Sequence, residues 1–305
     1  MKDAQVTPGG ARIRWVELPG RPGTSRTRVY LHGLGASSGP YFSASAAHPL
    51  SADARSLLMD LLGFGISDRP TDFGYTLEEH ADAVAAALKA ADAHDTDVVA
   101  HSMGGAVAIV LAARHPHLVA RLVLVDANLD PVAPAPARPG SSSSSRIASY
   151  TEEEFLAGGR EEVRDRVGPH WWATMRLAGP EALHRSAVHL ARGTTPTMRE
   201  LLLDLEIPRT YLRPLDDGPL PGEDTLIENG VRVVAVPECG HNIMLDNPEA
   251  FAEQTALALG HPPGAAAVPA PTDRASAARP LTPAVTAPRR LPRLLRRTSA
   301  RVRLP

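Results

Sequence analysis

Three residue groups have the types and spacing for acyl chemistry. The first is Ala100-His101-Ser102-Met103-Gly104-Gly105, where a short apolar run passes into a helical pattern. A serine on a sharp strand-to-helix turn projects its hydroxyl beyond the sheet edge, where it can attack a carbonyl. The backbones of strand and helix crowd at such a turn, so the residues two before and two after must be small. Gly104 and Ala100 meet that requirement, with Ala100 standing where glycine is usual. Ser102 as a plain helix N-cap is the competing reading. The second group is Leu31-His32-Gly33-Leu34-Gly35, a glycine turn at a strand end. Here the N–H of Leu34, paired with that of Met103, would form an oxyanion hole. The third is Cys239-Gly240-His241-Asn242, after the last apolar run. His241 sits on a loop at a strand end, where a general base would meet Ser102.

These groups need a scaffold, and the rest of the chain supplies its pattern. Ala11 to Leu18 alternates apolar and polar residues and reads as an edge strand. Short β-rich runs follow at Arg28–Leu31, Ser56–Met59, Asp97–Ala100, Arg121–Val125, Thr210–Leu212 and Val231–Val236. Helical patterns at Leu77–Asp92, Met103–Arg114 and Pro248–Leu259 lie between them. This alternation predicts an α/β fold, a doubly wound, mostly parallel sheet with its active site at the carboxyl ends of the strands.

The alternation breaks after Asp126. Residues 130–145 are rich in Pro, Ala and Ser and read as a flexible linker or exposed loop. Thr151 to Leu205 reads as wholly helical, starting at a Thr151 cap followed by three glutamates and punctuated by Gly158-Gly159, Gly168-Pro169, Gly179-Pro180 and Gly193. Such an insert would sit over the strand ends as a cap. Its Trp171, Trp172, Met175 and Leu177 fit either a pocket wall or a helix core. The predicted organisation is core over 1–130, linker and helical cap over 131–205, core again over 206–260, and a disordered basic tail over 261–305.

Composition sets outer limits. The 305 residues carry a net charge of -2, which gives no cue for nucleic acid or membrane. The tail holds nine arginines against one acid, so the body is acidic. Leu291–Leu295 with its flanking arginines is the one stretch of the tail suited to an anionic surface. The single cysteine, Cys239, forbids an intramolecular disulfide and fits a cytoplasmic protein. There is neither a signal-peptide pattern at residues 1–10 nor an apolar run of membrane-spanning length.

With these motifs in order, the chain resembles the α/β-hydrolase family over roughly Ala11 to Leu259. The family carries a His-Gly turn, an Asp-x-x-Gly-x-Gly-x-Ser segment (here Asp60 to Ser67), a nucleophile turn and a late Gly-His. The Asp60–Pro70 segment is read as structural, with an Asp–Arg pair and no chemistry. A serine nucleophile implies the esterase-like branch, whose helical caps the insert resembles; dehalogenases and epoxide hydrolases of this fold carry aspartate there. The resemblance implies a triad acid after the penultimate strand, in a Gly-x-x-Asp pattern. Pro214 occupies the glycine position, and counting from it selects Asp217, with Asp216 and Asp126 as alternatives. The implied function is hydrolysis of a carboxylic ester, thioester or lactone through an acyl-enzyme, with a small acyl substrate and no cofactor or metal. Carbon–carbon bond hydrolysis, cofactor-free perhydrolysis and a non-catalytic ligand-binding role remain as alternatives.

Overall fold

A computed structural model describes residues 1–134 and 143–260. The expected tail over 261–305, with its Leu291–Leu295 stretch, and most of the expected linker lie outside the described residues. Among the described residues, eight strands form one sheet. They are β1 (Lys2–Gln5), β2 (Arg12–Leu18), β3 (Thr27–Leu31), β4 (Arg55–Asp60), β5 (Thr96–His101), β6 (Val119–Val125), β7 (Arg209–Pro214) and β8 (Val231–Val236). Their order is β1-β2-β4-β3-β5-β6-β7-β8. Pairing is antiparallel between β1, β2 and β4 and parallel from β4 onward.

The central strands are buried on both faces, and their side chains alternate between two cores. Val29 and Leu31, Leu57 and Met59, Val98 and Ala100, and Leu122 and Leu124 point to one core. Tyr30, Leu58, Val99, Val123 and Val125 point to the other. This two-residue period, apolar at every position, is the mark of parallel strands covered by helices on both sides. Helices α2 (Leu77–Ala90) and α3 (Met103–Arg114) cover the first face. Helix α1 (Ser38–Ala46) and the C-terminal helix Pro248–Ala258 cover the second.

One expectation is corrected at the sheet margin. The strand read as an edge is flanked by β1, which pairs with β2 from Lys2 opposite Trp15 to Gln5 opposite Arg12. Only Ala4 of β1 turns inward, so its sequence carries no apolar alternation to read.

The insert is helical, with α4 (Arg160–Met175), α5 (Pro180–Arg192) and α6 (Met198–Asp204) as its longer pieces. Thr151 caps the first turn in a reciprocal capping box with Glu154, as its sequence predicts. Gly168, at φ 76°, interrupts α4 just before Pro169, so Trp171–Met175 forms a separate turn with its own direction. The insert is tied to the core by backbone and side chain: Gly179 N–H donates to the Gly63 carbonyl (2.8 Å), Arg185 to the Thr71 carbonyl (2.7 Å), and the His80 ring meets the Ser186 hydroxyl (3.1 Å).

The Asp60–Pro70 segment is structural, but its pairing differs from the expectation. Asp68 pairs with Arg14 on β2 (2.5 Å). Arg69 instead donates to the carbonyls of Gly65, Ser67 and Leu177. Buried Asp60 accepts from Ser37 Oγ, Ser38 N–H and Ile66 N–H, fixing the start of α1. Among the described residues no helix is long and apolar enough to cross a membrane.

Candidate active site

The strand order reverses at β3, with β4 on one side and β5 on the other. The crevice beyond their carboxyl ends is where an open α/β sheet binds ligands. The His32-Gly33-Leu34 turn leaves β3 there, and Ser102 leaves β5.

Ser102 stands at φ 51°, ψ −121°, a conformation that L-residues rarely hold. Its N–H donates to the Val125 carbonyl (3.0 Å), so the neighbouring strand fixes the turn. The crowding inferred for Gly104 is present: a Cβ on it would fall 2.5 Å from the His32 carbonyl oxygen and 2.6 Å from that of Leu31. No side chain fits there, so strand, turn and helix meet only through glycine. Met103, next along, is fully buried at the start of α3.

His32 holds the facing turn. Its Nδ1 lies 2.7 Å from the Gly33 carbonyl, and its Nε2 accepts from Leu61 N–H (3.1 Å). These partners require the Nδ1–H tautomer, and burial keeps the ring neutral by lowering its pKa.

His241 Nδ1 lies 2.6 Å from Asp126 Oδ2. Asp126 directly follows β6, and its N–H donates to the Leu212 carbonyl (2.8 Å). Among the described residues no hydrogen bond joins the His241 side chain to the expected partner, Asp217, or to Asp216: both are exposed beyond β7. Pro214, which stands in the glycine position of the expected pattern, belongs to the strand. It pairs with Val236 as the last residue of β7, and Leu215 N–H still bonds the Val236 carbonyl (2.8 Å).

His101 lies under His241. Its Nε2 is 2.9 Å from the His241 carbonyl, and the two rings are 4.5 Å apart. Burial, reinforced by His241, lowers its pKa well below the usual histidine range, so Nε2–H is the donor of a neutral ring. Cys239 is half-buried and donates to the Val236 carbonyl (3.2 Å). Burial and then nearby carboxylates raise its pKa and keep it a thiol.

Ser102, His241, Gly33 and Leu34 open on one cavity of about 430 Å³. Tyr41, His101, Asn128 and Asn242 line its core side; Val167, Trp171 and Leu190 belong to the cap. Of the four cap residues with two readings, Trp171 faces the cavity. Met175 is fully buried, Leu177 is exposed, and Trp172 packs beneath the Arg160 guanidinium. Sequence reasoning missed Asn128, whose Oδ1 is 3.3 Å from Ser102 Oγ. Its place two residues past Asp126, in the loop after the strand next to Ser102, is the signal that could have found it.

Residues 29–156 match the family model described as alpha/beta hydrolase fold. The chain is 38% identical over 102 residues to a probable lysophospholipase, BODYGUARD 4 of Arabidopsis thaliana, covering 33% of this chain and 24% of that protein. It is 37% identical over 97 residues to a 2-hydroxymuconate semialdehyde hydrolase of Pseudomonas putida, covering 32% of this chain and 34% of that protein. The chain thus spans about a quarter to a third of the length of these curated relatives. Among solved structures it resembles an esterase from Exiguobacterium antarcticum, with a TM-score of 0.66, 21% identity, and coverage of 83% of this chain and 96% of that one.

Proposed function

We propose that this chain, which belongs to the α/β-hydrolase fold family, is a serine hydrolase that cleaves carboxylic esters through an acyl-enzyme. The observation that carries this reading is the 2.6 Å contact of His241 with Asp126, on a cavity shared with Ser102.

In this reading the Ser102 hydroxyl leaves Asn128 and turns to His241 Nε2. His241 takes its proton as Oγ attacks the ester carbonyl. The carbonyl oxygen becomes an oxyanion held by the N–H groups of Leu34 and Met103. Asp126 accepts from Nδ1–H, fixes the tautomer and stabilises the imidazolium. The imidazolium then gives its proton to the departing alkoxide, which leaves as the alcohol. Water enters, loses a proton to His241 and attacks the acyl-enzyme; the acid is released and Ser102 regains its proton.

The described cavity lining favours an ester over the carbon–carbon bond hydrolysis of the Pseudomonas putida relative. A semialdehyde of muconate carries a carboxylate, and burying one without a paired cation costs several kcal/mol. The polar groups here are hydroxyl, amide and imidazole, and apart from Ser144 the cap wall is formed by Val167, Trp171 and Leu190. A neutral acyl chain fits that surface. Thioesters and lactones share the electrophile and fall in the same class. The single half-buried thiol suits a cytoplasmic setting.

A panel of p-nitrophenyl acyl esters, run beside a dienoate substrate, tests the reading. Ester turnover with fluorophosphonate labelling of Ser102 is expected. Labelling with turnover of the dienoate alone would replace ester hydrolysis by carbon–carbon cleavage.

A further inference from the structure

The turn that supplies Leu34 is closed by a hydrogen bond from Ala36 N–H to the Gly33 carbonyl (3.1 Å). Leu34 and Gly35 are its central residues, and Gly35 stands at φ 70°. A positive φ at the third position is that of a type II turn. Such a turn passes to type I by rotation of its central peptide, here Leu34–Gly35, which swings the Leu34 carbonyl and twists the backbone carrying the Leu34 N–H.

The cap holds that peptide. Trp171 Nε1–H donates to the Leu34 carbonyl at 2.9 Å. Three and four residues on, the Thr174 hydroxyl donates to the Trp171 carbonyl (3.2 Å), and Met175 lies over Gly35. A Cβ at Gly35 would come within 3.1 Å of Met175 Cε and 3.2 Å of Trp171 Nε1. One face of a helical turn, at i and i+4, thus holds both central residues of the oxyanion loop. Its abrupt start at Gly168-Pro169 gives the turn its own direction. These cap residues lie beyond the 29–156 stretch that matches the family model.

We propose that Trp171 is a positioning residue: its indole N–H locks the Leu34–Gly35 peptide, so that the cap completes the oxyanion hole. This rests on the ester-hydrolase reading for its kinetic consequence but not for its structural one. An interaction that serves the oxyanion lowers kcat when lost, whereas a pocket wall changes KM.

The test is Trp171→Phe, which keeps an aromatic ring and removes the donor, against Trp172→Phe as control. With a p-nitrophenyl ester, kcat should fall about fivefold to tenfold, the worth of one neutral hydrogen bond, with KM within about twofold. Affinity for a trifluoromethyl ketone, which binds as the tetrahedral oxyanion, should weaken by the same factor. Trp172→Phe should change none of these. In both variants hydrogen exchange is followed over residues 33–36, and the Ala36 amide should exchange faster in Trp171→Phe alone. Unchanged kcat, or a rise in KM alone, would overturn the proposal, as would unchanged Ala36 exchange. If the wild-type protein turns over no ester, the function reading falls while the exchange result still decides the clamp.

Discussion

Asp126→Asn separates the observed acid from the one the sequence pattern selects. The substitution keeps shape and a hydrogen-bonding group but removes the charge 2.6 Å from His241 Nδ1. During acyl transfer the His241 ring becomes a cation. Two unit charges about 4 Å apart interact by about 4 kcal/mol at an effective dielectric of about 20. That is about three decades of rate at 1.36 kcal/mol per decade. Solvent reduces it, since the side chains are 26% and 54% exposed for Asp126 and His241. Loss of the correct tautomer adds to it, and a triad aspartate-to-asparagine change elsewhere costs about 10⁴-fold. Turnover of p-nitrophenyl esters is therefore expected to slow by about three to four orders of magnitude. The fold should tolerate the change, because Asp126 stands at φ 42° and asparagine accepts left-handed backbone readily. Asp217→Asn and Asp216→Asn should stay within about twofold of wild type. If Asp217→Asn loses orders of magnitude while Asp126→Asn does not, the hydrogen bond to Asp126 is not the catalytic one.

Other outcomes follow from the same structure. Ser102→Ala should abolish ester turnover with the fold intact; Ser102→Gly should be equally inactive but melt higher than Ser102→Ala, since glycine carries no penalty at φ 51°. Equal melting temperatures would argue against strain at the turn. His80 is held down to about 3 by burial and then by nearby histidines. Below about 6.5 the unfolded chain binds a proton there that the folded chain refuses, so stability falls as pH drops through that window. His80→Gln should lessen the loss of unfolding free energy, measured by urea denaturation, between pH 7.5 and 4.5, by about 3 kcal/mol; an unchanged pH slope would sink this. Truncation after Gly260 should preserve melting temperature and ester turnover. The Leu259 carbonyl, with its bonds from Arg26 and Arg121, stays in place. A large drop in either quantity would move the domain boundary into the tail.

The central parallel strands were legible because both faces are covered, which gives β3 to β6 short apolar runs. Where burial is one-sided or slight the signal fades. β1 buries only Ala4, and α1 is built from Ser-Gly-Pro-Tyr-Phe-Ser-Ala-Ser-Ala, whose Gly, Pro and three serines hide a helix. Ser102 and His241 were legible for a different reason. Each sits in a turn at the carboxyl end of a strand, and Gly104 marks the crowding that only a nucleophile turn requires. The count that selects Asp217 depends on where the strand ends, whereas the hydrogen-bonded partner of His241 is Asp126. Pro214 lengthens β7, and nothing local in Leu215-Asp216-Asp217 reports it. Trp171 was legible only as an aromatic residue, since its partner, the Leu34 carbonyl, lies 137 positions away.

The placement of Asp126 has a geometric logic once the register is known. His101 on β5 pairs with Val125 on β6, so Ser102 and Asp126 are the next residues along two adjacent parallel strands. Both leave the sheet by a left-handed step, at φ 51° and φ 42°. Ser102 and Asp126 thus depart from the same edge at the same height. His241 must approach from the far side of β7, and His101 receives it by bonding its carbonyl. With Asp126 beside it, His241 has a carboxylate partner without one from the β7 loop. Pro214 accordingly ends β7 opposite Val236, and Asp216 and Asp217 beyond it are exposed.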